Sequence, residues 1–325
     1  MLTDNLDEED KFLLVEISSL ENVDSELTEL GLTILDDDNA PVLSSVANNV
    51  LEGDDATVEF SLSSASEKAI TFDVLSSSSE ATAGSDYVSL SQTVTINAGE
   101  TSKTISLSTI DDSTDEADEA IGISISNLVN ATTTSEPFNF SIIDNDDAPT
   151  ISFAGTYVNE GAGTATISFA ISAVSEKVIS FDVATEENTA SNADFTSLTK
   201  TLTIDSGETL VTQSFEITQD ESDEANESFN VVISNLTNVS ASNTSASIGI
   251  IDDDGAPTIY FNDATVNEGS SLTIPVLLSN TSELPITVNY ATVDGTASSG
   301  KDYTSNSGQL TFAPGESSKS ITLET

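Results

Sequence analysis

The sequence predicts an all-β protein made of tandem antiparallel β-sandwiches. Three observations carry this. First, a pattern recurs every 108 residues. The runs "DDDNAP", "DNDDAP" and "DDDGAP" start at Asp36, Asp144 and Asp252 and end at Pro41, Pro149 and Pro257. A unit of about 100 residues suits a sandwich and is too long for a solenoid repeat. Second, short stretches alternate apolar and polar residues, as in "ATVEFSLS" (Ala56–Ser63), "TVTIN" (Thr93–Asn97) and "KTISLSTI" (Lys103–Ile110). Period 2 marks a half-buried strand. Third, no stretch sustains helical apolar spacing. Turn signals such as "NAGE" (Asn97–Glu100), "DSGE" (Asp205–Glu208) and "APGE" (Ala313–Glu316) punctuate the strands instead.

The copies align along the whole chain. "NVLEGDDATVEFSLS" from Asn49 matches "YVNEGAGTATISFAIS" from Tyr157 and "TVNEGSSLTIPVLLS" from Thr265. "DSTDEADEAIGISISNL", ending at Leu128, matches "DESDEANESFNVVISNL", ending at Leu236, and "DNLDEEDKFLLVEISSL", ending at Leu20. The layout is therefore a C-terminal half-repeat over 1–40, whole repeats over 41–148 and 149–256, and an N-terminal half-repeat over 257–325. Such a layout reads as a segment of a longer array. A monomeric segment is expected in preference to an oligomer in which the halves complement each other head to tail.

Composition excludes several functions. The chain has 325 residues, 56 acids, 7 lysines and a formal charge of -49. It has no arginine, so nucleic acid and anionic membrane surfaces are poor partners. It has no Cys and no His, which removes disulfides, thiolate sites, the usual zinc ligands and the commonest general base. Enzyme activity is not expected. Oxygen ligands remain, and these suit hard cations such as Ca²⁺. "MLTDNLDEED" is not a signal peptide, and no segment has the ~20 apolar residues of a membrane span.

The acids recur in register at strand ends and in loops. In the first whole repeat they are Glu52, Asp86, Asp111, Asp112, Glu116, Glu119, Asp144 and Asp146. Loops of an antiparallel sandwich alternate between its ends, so these can converge at one pole. Two carboxylates ~6 Å apart in water repel by roughly 0.7 kcal/mol. Ten such pairs would cost roughly 7 kcal/mol, against a domain stability of ~5–15 kcal/mol. A divalent cation is the simplest counter-charge. Any single Asp reads as a turn former, and an acidic run as a solvated face. Recurrence in register favours ligands. An EF-hand from Asp111 fails, because Glu116 stands where Gly is needed and Gly122 where Glu is needed.

With "VNEG", the acidic closings and "YATVDGTASSGKDYTSNSGQLTFAPGESSKSITL" (Tyr290–Leu323), the chain resembles the Calx-beta domain family over essentially its whole length. The resemblance implies a seven-stranded immunoglobulin-like sandwich and Ca²⁺ as the bound ion. For the first whole repeat it implies ligands at Glu52, Asp86, Asp111, Asp112, Glu116, Glu119, Asp144 and Asp146, with Asn145 replacing an acid. For the second it implies Glu160, Asp194, Asp220, Glu224, Glu227, Asp252, Asp253 and Asp254, with Gln219 where an acid is usual. The N-terminal half keeps Asp4, Glu8 and Asp36–Asp38, but Lys11 replaces a Glu. The C-terminal half keeps only Glu268 and Asp302.

The function expected is a calcium-binding structural or adhesive segment of a large extracellular repeat protein, with Ca²⁺ rigidifying the inter-domain junctions. Any cell-surface or matrix ligand would be engaged by other parts of that protein. The alternatives are a calcium-sensing regulatory domain of a membrane transporter and a non-catalytic spacer of a secreted enzyme. "SEK", at Ser66–Lys68 and Ser175–Lys177, reads as a charged turn.

Overall fold

Seven strands build each whole repeat, and the first and last of the seven are broken so that each serves both sheets. The structure, a computed structural model, describes residues 4–24, 26, 29–133 and 137–325. The chain forms two compact units, residues 1–147 and 148–325.

In the first unit, one sheet runs in the order Thr132–Thr133, Val42–Ala47, Asp55–Leu62, Ser102–Ser108. The facing sheet runs Val50–Leu51, Phe138–Ile143, Glu119–Val129, Ile70–Ser78, Ser91–Ile96. Alternation decides which side chains meet between them. Ala56, Val58, Phe60 and Leu62 point inward from one sheet, and Ile70, Phe72 and Val74 from the other. Phe60 and Phe72 meet edge to face with centroids 4.8 Å apart, a favoured aromatic geometry. The all-β sandwich expectation holds.

The second unit repeats this plan. One sheet orders Leu210–Glu216, Thr164–Ile171, Thr150–Ser152, Ser240–Ala241. The other orders Thr156–Asn159, Ser245–Ile251, Glu227–Thr237, Ile179–Glu187, Thr199–Ile204. Phe195 stacks on Phe229 at 4.0 Å in its core.

The recurring "SNL" marks a bulge. Asn127 and Asn235 take positive φ (52° and 51°), which Asn tolerates better than most residues. Their amides donate to Asp73 Oδ2 at 2.8 Å and to Asp182 Oδ2 at 2.7 Å, next to the register shifts at Thr71/Asp73 and Ser180/Asp182.

The terminal segments carry half-sandwiches. Lys11–Glu16 and Glu29–Ile34 form an antiparallel hairpin in the first unit. Leu13 and Leu32 are 37% and 49% exposed on it, whereas Ile121 and Phe140, one period later, are 0% and 3% exposed. In the second unit, Ile259–Tyr260, Ser271–Leu278 and Ser318–Glu324 form one sheet, and Ile286–Ala291 with Ser307–Phe312 form another. Between them lies an apolar cavity of about 380 Å³.

Candidate metal centre

Strand register builds the acidic pole. Val50 and Leu51 pair in parallel with Ile142 and Ile143, so the next residues, Glu52 and Asp144, leave the sheet together. Glu119 pairs with Ile142 on the other side. Asp55 pairs with Ser108, which brings the 52–54 turn beside the loop that begins at Ile110. The Ile110 amide donates to Asp86 O at 2.9 Å and so delivers the fourth loop. The second repeat uses the same register. Asn159 pairs with Ile251, and Glu227 with Ile250, so Glu160 and Asp252 exit side by side.

Among the predicted ligands, the most buried at each pole is the first Glu. Glu52 is 8% exposed and Glu160 is 4% exposed. Each accepts a hydrogen bond across the pole, from the Asp112 amide at 2.9 Å and from the Asp220 amide at 2.8 Å. Carboxylate oxygens of Glu52, Asp144 and Asp146 lie within 4.8 Å of one another, as do those of Glu160, Asp220 and Asp254. A hollow of about 10 Å³ is lined by Glu52, Asp86, Glu116, Glu119 and Asp144. That is room for one water-sized sphere.

Each predicted ligand has a definite place. Asp86 accepts from the Thr82 amide, and Asp194 accepts from the Ser191 amide at 2.7 Å, so one oxygen of each pins its own turn. Asp112 and Asp220 accept from Thr114 and Ser222 amides, both at 2.7 Å. Asn145 donates to Glu52 O at 3.0 Å and to Asp111 Oδ1 at 3.4 Å, bracing the loop. Asp253 is exposed and accepts from the Gly161 amide at 3.3 Å. Gln219 donates to Asp220 O at 2.6 Å. Glu116 and Glu119 line the hollow. Glu224 and Glu227 are half-buried beside Asp194.

The electrostatics of the pole are those of crowded, partly buried acids. Burial raises the Glu52 and Asp146 carboxyls, and neighbouring Asp111 and Asp112 add to it. Burial does the same to Glu160 and Asp254, with Asp220 and Asp252 contributing. Glu224 is pushed up to about 7 by burial and then by Glu283, Asp220, Asp194 and Glu160. Burial, the Asp194 charge and a hydrogen bond with Asp194 raise Glu227.

The donor set fits a hard divalent ion. Asp146 Oδ2, Asp252 Oδ1 and Asp254 Oδ2 are buried without a hydrogen-bond partner. A buried carboxylate oxygen in that state is costly unless a cation meets it. All donors are oxygens, the set that Ca²⁺ takes in numbers of 6–8. Glycines keep the rim open. A Cβ on Gly161 would stand 2.7 Å from Asp253 Oδ2 and 2.8 Å from Gln219 Oε1, and one on Gly53 would stand 2.7 Å from Asp111 Cβ.

Sequence reading missed the supports of this pole. The amides of Asp36, Asp144 and Asp252 donate to Asp10, Asp118 and Asn226 at 3.1, 3.2 and 3.1 Å. These three recur at the 108-residue period, and that recurrence was the available signal. The "SEK" turn is also more than a charged turn. Ser66 Oγ donates to Asp7 Oδ2 at 2.7 Å, and Lys68 pairs with Asp7 Oδ1 at 2.9 Å.

Tandem sandwiches whose strand-end loops pool carboxylates at one pole, in register in successive repeats, are β-domains with acid groups that could hold a metal ion. The chain matches the Calx-beta domain over residues 36–143, 144–254 and 252–325, and it belongs to that family. Similar solved structures include CBD12 from CALX1.2, at 16% identity, covering 64% of this chain and 99% of that one with a TM-score of 0.32. They also include the apo-form Calx CBD1 domain, at 22% identity, covering 33% and 100% with a TM-score of 0.32. A search of curated protein sequences finds no match.

Proposed function

We propose that this chain is a calcium-binding structural segment of a larger extracellular repeat protein, in which bound Ca²⁺ rigidifies strand ends and repeat junctions. The observation that carries the reading is a converging carboxylate triad at the equivalent pole of both whole repeats, sharing the first Glu and the Asp at the third position of the closing run. Glu52 with Asp144 and Asp146, and Glu160 with Asp220 and Asp254, converge within 4.8 Å at equivalent poles. Buried, unpartnered carboxylate oxygens stand in both.

The ion would be held in the first repeat by Glu52, Asp86, Glu116, Glu119, Asp144 and Asp146, and in the second by Glu160, Asp194, Asp220, Glu224, Glu227, Asp252 and Asp254. Bound calcium supplies the positive charge that these loops lack. The chain's own residues do the positioning. Parallel pairing sets Glu52 beside Asp144, and backbone amides orient the first Glu of each pole. Neutralising the pole removes the repulsion that pushes its loops apart. The role is structural and non-catalytic, and an adhesive contact would lie elsewhere in the parent protein. A calcium-sensing role beside a membrane transporter uses the same chemistry. Calorimetric titration of the full chain with Ca²⁺ and Mg²⁺, alongside thermal melts in calcium and in chelator, tests the reading. Saturable Ca²⁺ binding with a raised Tm supports it, and equal melts without binding remove it.

A further inference from the structure

The two terminal half-sandwiches present faces that fit each other. In the second whole repeat, Glu227–Thr237 and Ser245–Ile251 form a hairpin that pairs with the edge of Ile179–Glu187. The hairpin of Lys11–Glu16 and Glu29–Ile34 stands two periods earlier and keeps its register. Leu13 pairs with Leu32 as Phe229 pairs with Ile248, and Val15 pairs with Leu30 as Val231 pairs with Ala246. Phe229, Val231, Ile233, Ile248 and Ile250 are at most 5% exposed. Their counterparts Leu13, Val15, Ile17, Leu32 and Ile34 are between 37% and 50% exposed.

The early hairpin is already shaped for a sheet. Ser19 and Asn22 hold φ of 59° and 56°, as Asn235 and Asn238 hold 51° and 57°. Positive φ is uncommon outside glycine. In the whole repeat this bulge lies against Asp182 of the neighbouring strand. A backbone that holds the docked shape beforehand lowers the ordering cost of docking.

A matching seat lies in the C-terminal half-sandwich. Ile286–Ala291 pairs with Ser307–Phe312 along one edge, and among the described residues no strand pairs with its other edge. In the whole repeats that edge carries the hairpin. The apolar cavity beside it is lined by Ile274, Val288, Tyr290, Leu310 and Leu323, among others. Val288, Leu310 and Leu323 are half-buried, whereas their counterparts Phe181, Leu202 and Phe215 are at most 5% exposed. Charge matches as well. Glu227 lies beside Asp194, acid against acid. Lys11 and Asp302 stand at the equivalent positions, cation against acid.

We propose that the 11–34 hairpin of one copy of this chain docks on the C-terminal half-sandwich of a second copy, completing a sandwich from two chains. Tyr290 then faces Ile17 and Thr292 faces Val15, as Val183 faces Ile233 and Thr185 faces Val231 in the whole repeat. Adding strands to an open edge gains main-chain bonds and apolar burial together. The two faces differ, so the contact runs head to tail and grows into a chain or closes into a ring. This departs from the monomer expected from the sequence, and it needs no calcium.

The test is sedimentation velocity of the full chain in chelator over a concentration series. Wild type is compared with a hairpin variant, Leu13→Asp/Leu32→Asp, and a groove variant, Val288→Asp. Wild-type mass is expected to rise with concentration beyond two chains. Each variant alone should lose association and stay a monomer. Their equimolar mixture should stop at a dimer, because one supplies an intact groove and the other an intact hairpin. Lys11→Glu should weaken wild-type association, and adding Asp302→Lys should restore it. The hairpin variant alters only exposed side chains, so its result stands even where Val288→Asp unsettles the terminal sheets. A wild type that stays monomeric at every concentration overturns the proposal. So does a hairpin variant that associates like wild type, or a mixture that stays monomeric.

Discussion

The buried Glu160 accepts a 2.8 Å hydrogen bond from the amide of Asp220, sixty residues away. Glu52 and Asp112 repeat the arrangement at 2.9 Å. One carboxylate thereby serves two purposes. One oxygen fixes the loop before the next-to-last strand, and the charge contributes to the proposed cation site.

The two purposes separate on substitution. Glu160→Gln keeps a carbonyl oxygen for the Asp220 amide and removes the charge. It is expected to leave the Tm in chelator unchanged or raised, and to lose calcium affinity at the second repeat. Glu160→Ala removes the acceptor as well and leaves a buried amide unmatched, a cost of about 1–3 kcal/mol. Urea unfolding of both variants in chelator distinguishes them.

Calcium-free stability should fall as pH rises. Glu224 has an ordinary value of 4.5 and is pushed to about 7 in the fold. Between those values the folded chain holds a proton that the unfolded chain has released. Stability therefore decreases from about pH 4.5 to about pH 7, because its slope follows protons bound unfolded minus folded. Glu52, Glu160 and Glu227 are raised as well and add in the same direction. Saturating calcium, which binds the ionised form, should abolish this decline. Urea midpoints at pH 5 and pH 7.5, with and without calcium, measure it.

Asp7 should behave in the opposite sense. Burial opposes its ionisation, but the bonds from Lys68 and Ser66 outweigh burial and hold its carboxyl below the ordinary value. A lowered acid stabilises above its unfolded pKa, and that contribution disappears as pH falls through the folded value. Asp7→Ala also strips a buried clamp from Ser66 and Lys68, at a cost of about 1–3 kcal/mol. Faster hydrogen exchange at the Glu67 amide, whose acceptor is Asp7 O, is the expected readout at neutral pH.

Gly161→Ala should damage the metal pole more than the fold. The new Cβ would press on the side-chain ends of Asp253 and Gln219, which can shift at the expense of the loop that carries the ligands. The expected result is weaker calcium binding at the second repeat with a nearly unchanged Tm in chelator. Gly53→Ala meets the Asp111 Cβ and carries a φ of +79°. It should lower stability with or without calcium, by about 1 kcal/mol or more.

Much of the fold was legible because alternation reports burial directly. "ATVEFSLS" buries Ala56, Val58, Phe60 and Leu62 and exposes or half-exposes the residues between. The convergence of Glu52 and Asp144 at one pole followed from loops alternating between the ends of a sandwich. Parallel pairing of Leu51 with Ile143 was not legible, because a two-residue strand piece has too few side chains to show a period. The clamp of Asp7 on Ser66 and Lys68 was hidden for another reason. Its partners are polar, lie 59 and 61 residues away and have no hydrophobic signature. Lys11 reads in the sequence as a replaced ligand Glu, and only the structure shows its ion pairs with Glu8 at 2.5 Å and Glu67 at 3.4 Å.

The central claim is that calcium neutralises the acidic poles and thereby stabilises the sandwiches. Calorimetric titration of the full chain with Ca²⁺ at pH 7.5, paired with melts in calcium and in chelator, tests it most directly. The account expects saturable binding, a higher Tm in calcium, and loss of part of both when Asp252 and Asp254 are replaced by Asn. No saturable binding and identical melts would contradict it.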